Sequence, residues 1–213
     1  MIKEFRGKLC NIGEMQKAVK DMLELLVKMS SGEIPNSDYT LDDLTSFCKS
    51  LVRSQETIEI ENEKGVKTTV GFWCVSETLS MPSDAEVDFL FFPTYIAISI
   101  LTRFMQQYPD IAKEIPMYEE VLKRGYRGVT LRGLRGHGFE AIADMVRAIE
   151  IFDMGGVPGY LSSNPSFSPE LLDLLRDIKK FSEEKMKKGI RKNDWSEVPL
   201  EKYKLVCDIL KDI

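Results

Sequence analysis

At 213 residues the chain is long enough to bury one substantial core, and 43% hydrophobic with 30% charged residues is a globular rather than a disordered balance. A net charge of -5 excludes a general nucleic-acid binder, which carries a basic balance. The most apolar run, residues 89–101, contains Pro93 and is bracketed by Asp88 and Arg103; a bilayer span needs about 20 apolar residues, so no membrane partner is expected.

The first residues carry no apolar signal-peptide core, and the expected location is cytoplasmic. Cys10, Cys48, Cys74 and Cys207 form no CxxC pair, and His137 is the only histidine. The cysteines therefore read as reduced, mostly buried thiols; neither a metal site nor a cofactor motif is expected.

In chain order, Met15, Ala18, Val19, Met22, Leu26 and Met29 recur at three- and four-residue steps, which predicts a helix over 14–30 closed by Ser30-Ser31-Gly32. Thr40 and Asp43 have capping-box spacing and open a second helix with Leu41, Leu44, Phe47, Cys48 and Leu51 inward. The period then drops to two. Thr57 to Glu61 and Val66 to Val75 flank Asn62-Glu63-Lys64-Gly65, predicting a β-hairpin near 57–75. Residues 80–84 are the best internal boundary in an otherwise single domain: 1–80 would hold two helices and the hairpin, 85–213 a helical core.

Pro93 suits the first turn of a central helix carrying Tyr95, Ile96, Ile98, Ile100, Leu101, Phe104 and Met105. Pro116 opens a shorter helix with Met117, Val121 and Leu122, and Gly125 is expected to end it in the left-handed region. Phe139, Ile142, Val146, Ile149 and Phe152 stripe another helix that stops at Gly155-Gly156. Val157 to Phe167 reads as a turn-rich loop, and Ser168-Pro169-Glu170 as an N-cap and first turn. That helix runs to about Lys188 on Leu171, Leu174, Leu175, Ile178 and Phe181. A last helix after Pro199 turns Tyr203, Val206, Cys207, Leu210 and Ile213 inward. The fold class is mostly α: antiparallel helical hairpins, as a partial toroid or an irregular bundle, with one small β-hairpin.

A shift of 44 residues superposes Tyr95 on Phe139, Ala97 on Ala141, Ile98 on Ile142, Leu101 on Met145 and Arg103 on Arg147. The run Phe92-Pro93-Thr94-Tyr95-Ile96-Ala97-Ile98-Ser99-Ile100-Leu101, followed by a glycine-bounded second helix, resembles the helices of α/α-toroid proteins such as terpenoid cyclases and prenyltransferases, over residues 92–180. The resemblance implies architecture alone. The Asp-rich and zinc-ligand motifs of those enzymes are absent, so no activity or residue role is carried over.

The candidate site is the stretch 123–140. It holds Lys123, Arg124, Arg127, Arg132 and Arg135, glycines at 125, 128, 133, 136 and 138, and His137, with no acid between Glu120 and Glu140. From Arg132 onward a glycine-rich, donor-rich loop runs into a helix N-terminus, an arrangement that favours an anion. Arg132, Gly133, Arg135, Gly136, His137 and Gly138 are the candidate ligand-binding residues, for a phosphate or carboxylate. His137, whose ordinary pKa is about 6.5, is the candidate proton carrier, and Glu140, three residues on, would orient it. Whether turnover occurs stays open. An Asp144–Arg147 pair is expected on the following helix. The alternative is a non-enzymatic module that engages a protein partner through a helical surface or the hairpin edge, with the glycine-rich stretch as a packing loop.

Overall fold

A computed structural model describes residues 12–34, 39–61, 65–73, 84–132, 139–189 and 199–213; of 12–16, 84–91, 131–132 and 139–141 it describes the backbone alone. Among the described residues the order is α1 (Ile12–Ser30), α2 (Leu41–Ser54), β1 (Glu56–Glu61), β2 (Lys67–Phe72), α3 (Asp84–Gln107), α4 (Pro109–Glu114), α5 (Tyr118–Arg132), α6 (Phe139–Met154), α7 (Val157–Ser163), α8 (Pro169–Lys188) and α9 (Leu200–Ile209). The protein is mostly helical with one small antiparallel hairpin, as its sequence pattern indicates. No helix of the described residues is long and apolar enough to cross a membrane.

Helix α3 is the axis of the core. Tyr95, Ile96, Ala97, Ile98, Ile100, Leu101 and Phe104 are all buried, and α1, α2, α4, α5, α6 and α7 pack around it. Two of its buried hydroxyls, those of Thr94 and Thr102, are tied down, while that of Ser99, packed where α3 meets Gly155, makes no hydrogen bond. Thr94 Oγ1 accepts the Trp73 amide N–H at 3.0 Å, and Thr102 Oγ1 lies 2.6 Å from both the Ile98 carbonyl and the Tyr126 hydroxyl. Arg103 donates Nε and Nη2 to the Met154 carbonyl at 3.1 and 2.8 Å, placing a cation on the negative end of α6. Arg147, its counterpart under the 44-residue shift, is exposed.

The capping box of α2 forms as expected: Asp43 N–H donates to Thr40 Oγ1 at 3.1 Å, and Thr40 N–H to Asp43 Oδ2 at 3.1 Å. The stripe Leu44, Phe47, Cys48 and Leu51 is buried beneath it.

Several local expectations give way to packing. Pro93 does not open a helix; it lies inside α3. An interior proline costs about 3 kcal/mol, which a row of buried side chains worth about 1.5–3 kcal/mol each outweighs. Gly125 does not end a helix either. It sits mid-α5, where a Cβ would meet Ile98 Cγ2 at 2.7 Å and Trp73 Cζ3 at 2.9 Å. Pro116 and Met117 precede α5 as a turn closed by Tyr118 N–H to the Ile115 carbonyl at 3.2 Å.

Val157 to Ser163 is a helix rather than a loop: Gly156 takes φ 66° ahead of it, and Pro158 occupies its first turn, where a missing amide costs nothing. Ser168 does precede α8, but at φ -152° and ψ 83° its hydroxyl makes no capping bond. Phe181 is 38% exposed, its ring set edge-on to Tyr203, and Cys207 and Ile213 are only half-buried at the end of the chain. The proposed boundary at 80–84 falls almost wholly on residues outside those described.

The hairpin pairs Thr57 with Gly71, Glu59 with Thr69 and Glu61 with Lys67, while Ile58 and Ile60 oppose Val70 and Thr68. A two-stranded ribbon needs a support, and α5 supplies it along β2. The approach is close because Gly128 has no side chain: a Cβ there would run into the Gly71 carbonyl and lie 2.9 Å from the Phe72 ring. Gly128→Ala, ordinarily a helix-stabilising change of up to about 1 kcal/mol, is therefore expected to lower stability by about 1–3 kcal/mol through overpacking. Gly159→Ala in α7, where a Cβ meets nothing within 4 Å, should be neutral or stabilising. Urea unfolding midpoints of the two variants check the pair.

Candidate anion-binding cleft

The sequence places its site at the end of α5, and the described residues reach its edge. Arg132 is the last residue of α5 and Glu140 the second of α6; nothing is described of either side chain. Gly133, Arg135, Gly136, His137 and Gly138 lie outside the described residues. What can be built is the half contributed by α5 itself.

Three of the five expected cations face acids earlier on the helix, two of them one turn back and the third two turns back. Lys123 Nζ is 2.7 Å from Glu119 Oε1 and 4.9 Å from the centre of the Phe167 ring. Arg124 Nε is 3.1 Å from Glu120 Oε1, and Arg127 Nη1 is 3.7 Å from that same oxygen. The run is acid-free only when read forward, because Glu119 and Glu120 stand just before it and reach it across a helical turn. One carboxylate thus serves two guanidiniums. Arg127 holds the longer share, and it also donates to the Thr69 carbonyl at 3.4 Å.

Arg127 opens onto a cleft of about 540 Å³ between β2, α5 and the start of α8. Lys67, Thr68, Thr69, Arg127, Thr130 and Glu170 supply its polar wall. The hydroxyl of Thr130 donates to the Tyr126 carbonyl at 3.0 Å and keeps its lone pairs, while Lys67 Nζ is 3.7 Å from Glu59 Oε2. Glu170, at the positive end of α8, is the counter-charge already present. Two cations and three threonines line the cleft with one carboxylate, and Glu59 and Glu120 each hold one of those cations only at 3.7 Å, an arrangement in which a small anion can compete for both. No three His, Cys, Asp or Glu side chains of the described residues are grouped as metal ligands would be.

Lys67, Thr68 and Thr69 were not singled out by sequence; only the 58-residue contact from Arg127 to Thr69 brings them in. The expected Asp144–Arg147 pair is replaced by a bond from the Tyr95 hydroxyl to Asp144 Oδ2 at 3.3 Å. Among the aromatic residues, Trp73, Tyr95 and Tyr126 are core, and Tyr160 stands half-buried at the rim of a second cleft of about 480 Å³ with Met105 and Met117. Desolvation first, and then the Glu119 carboxylate, push the Tyr160 hydroxyl up to about 12.

Beneath α5, burial also raises the Tyr118 and Tyr126 hydroxyls above the ordinary phenol range. Tyr118 donates to the Leu101 carbonyl at 2.7 Å.

No protein-family model, curated protein or solved structure matches the chain.

Two measurements check this region. The folded tyrosines release protons later than unfolded ones, which do so near pH 10, so their contribution is full below about pH 10 and falls as pH rises beyond it. Denaturant midpoints should drop between about pH 10 and 12, and drop less in Tyr126→Phe. Met117, at φ 65° and 56% exposed, occupies a conformation costing a non-glycine residue about 1–2 kcal/mol. Met117→Gly exchanges that strain for about 0.5–1 kcal/mol of chain entropy and should leave stability unchanged or raise it, whereas Met117→Val should lower it, by urea unfolding.

Proposed function

We propose that the protein binds a small anion, a phosphate or a carboxylate, in the cleft between β2 and α5, with the ligand reaching toward Arg132 and the glycine-rich segment that follows. The observation carrying this reading is the Glu120 carboxylate shared between Arg124 and Arg127, which leaves positive charge at the cleft mouth beside Lys67 and three threonine hydroxyls. Charge-assisted bonds from a planar guanidinium and hydroxyl donors are the contacts an oxyanion takes. In this reading Arg132, Gly133, Arg135, Gly136, His137 and Gly138, which follow α5 in the sequence, are the remaining ligand-binding residues. Any turnover falls to His137 as proton carrier, with Glu140 orienting it.

The charges in the cleft give the test two opposite signs. Titration calorimetry with a panel of phosphorylated and carboxylated metabolites should find a ligand whose affinity falls about tenfold or more in Arg127→Ala and in Arg132→Ala, the loss of roughly 1.5–3 kcal/mol expected for a bond to a charged group. Glu170→Gln removes the competing carboxylate and should tighten the same ligand. Binding indifferent to Arg127 and Arg132, or weakened by Glu170→Gln, overturns the assignment.

A further inference from the structure

The hairpin turns one edge to α5 and the other outward. On β2, the Thr69 carbonyl accepts from Arg127 at 3.4 Å and the Gly71 carbonyl lies against Gly128, so both face away from β1. In an antiparallel ladder, opposed residues share an orientation: where one turns its backbone groups outward, so does its partner. Thr57 opposes Gly71, Glu59 opposes Thr69, and Glu61 opposes Lys67 two further on. The N–H and C=O groups of Thr57, Glu59 and Glu61 therefore point out from the far edge of β1, where no strand of the described residues lies. All three residues are exposed, and Ile58 between them is 38% exposed.

We infer that this edge is a strand-addition site for an extended basic segment of a partner protein, one that alternates Lys or Arg with apolar residues. The alternation follows from the pleat. On one face, cations of the incoming strand would stand opposite Glu59 and Glu61. On the other, apolar side chains would lie beside Ile58 and Ile60 and extend the surface that Val70 and Phe72 continue inward. Backbone bonding supplies the attachment and the two faces supply the selection.

A second copy of the chain is the wrong occupant. The strand Glu56-Thr57-Ile58-Glu59-Ile60-Glu61 contains no cation, so pairing it with itself would crowd glutamates of both strands along one ribbon. The charge that keeps identical edges apart is the charge that admits a basic one. This edge meets the anion cleft at Ile60 and through the Glu59–Lys67 contact, but the backbone groups it offers lie on the opposite side of the ribbon, and its test does not depend on that cleft binding anything.

The test uses the full chain and two short labelled peptides, one alternating Lys and Val, the other Glu and Val. Fluorescence anisotropy should show the Lys/Val peptide binding at least tenfold tighter, and hydrogen exchange should show the Thr57, Glu59 and Glu61 amides protected in its presence. Glu59→Pro removes an outward amide while leaving the ladder to β2 intact, and it should abolish binding. The double change Glu59→Lys with Glu61→Lys should reverse the peptide preference. Four results would each overturn the proposal: no peptide binding, binding without protection of those amides, binding undiminished in Glu59→Pro, or a dimer of the chain that Glu59→Pro dissolves.

Discussion

Two hydrogen bonds from Trp73 hold the fold together. Its amide donates to Thr94 on α3 and its indole Nε1 to the Leu51 carbonyl at 2.8 Å on α2, and its ring lies against Gly125 on α5. One fully buried residue at the end of the hairpin thus fixes three helices. A Trp in an apolar core is stable only when its N–H finds a partner, and here that partner is a carbonyl near the C-terminal end of α2, where helices leave acceptors unused. The geometry closes because α5 carries glycine where the ring and the β2 backbone approach. Gln55, the residue after α2, completes the joint: its Nε2 donates to the Val121 carbonyl at 2.8 Å across the face of Gly71.

This joint also explains where the candidate cleft comes from. Pressing α5 onto β2 through Gly128 brings Arg127 to the Thr69 carbonyl and sets the threonines and Lys67 beside it. The same contact occupies one hairpin edge and leaves the other outside. Both proposed binding surfaces are thus consequences of a single glycine-mediated approach.

The elements whose signals are local were legible. Thr40 and Asp43 announce α2 by spacing; Leu44, Phe47, Cys48 and Leu51 mark its inward face, and alternation marks β1. What misled were residues whose usual local meaning was overruled by neighbours distant in sequence. Glycine at 125 commonly stops a helix, yet here it makes room for Trp73. Proline at 93 commonly starts one, yet the buried row from Tyr95 to Phe104 carries α3 straight through it. Pro158 and Gly159 look like a turn, although Gly156 at φ 66° supplies the turn and a helix follows. Of the site, the cationic run was visible, and so, in principle, was its neutralisation: Glu119 and Lys123, like Glu120 and Arg124, are four apart. The contribution of Lys67, Thr68 and Thr69 had no local signature.

The span of the Gln55 contact bears on how the chain matures. Its partner Val121 lies 66 positions later, and Arg127 lies 58 beyond Thr69. During vectorial synthesis both strands emerge from the ribosome well before α5 exists, and a lone ribbon of this size does not hold its shape. Phe72 and the Trp73 ring lack the cover of α5 throughout that interval, although the Trp73 partners on α2 and α3 are already made. The buried end of β2, Val70 to Phe72, thus gains its α5 cover only once the chain has reached Gly128, which makes the hairpin–α5 joint a late, long-range contact of the fold.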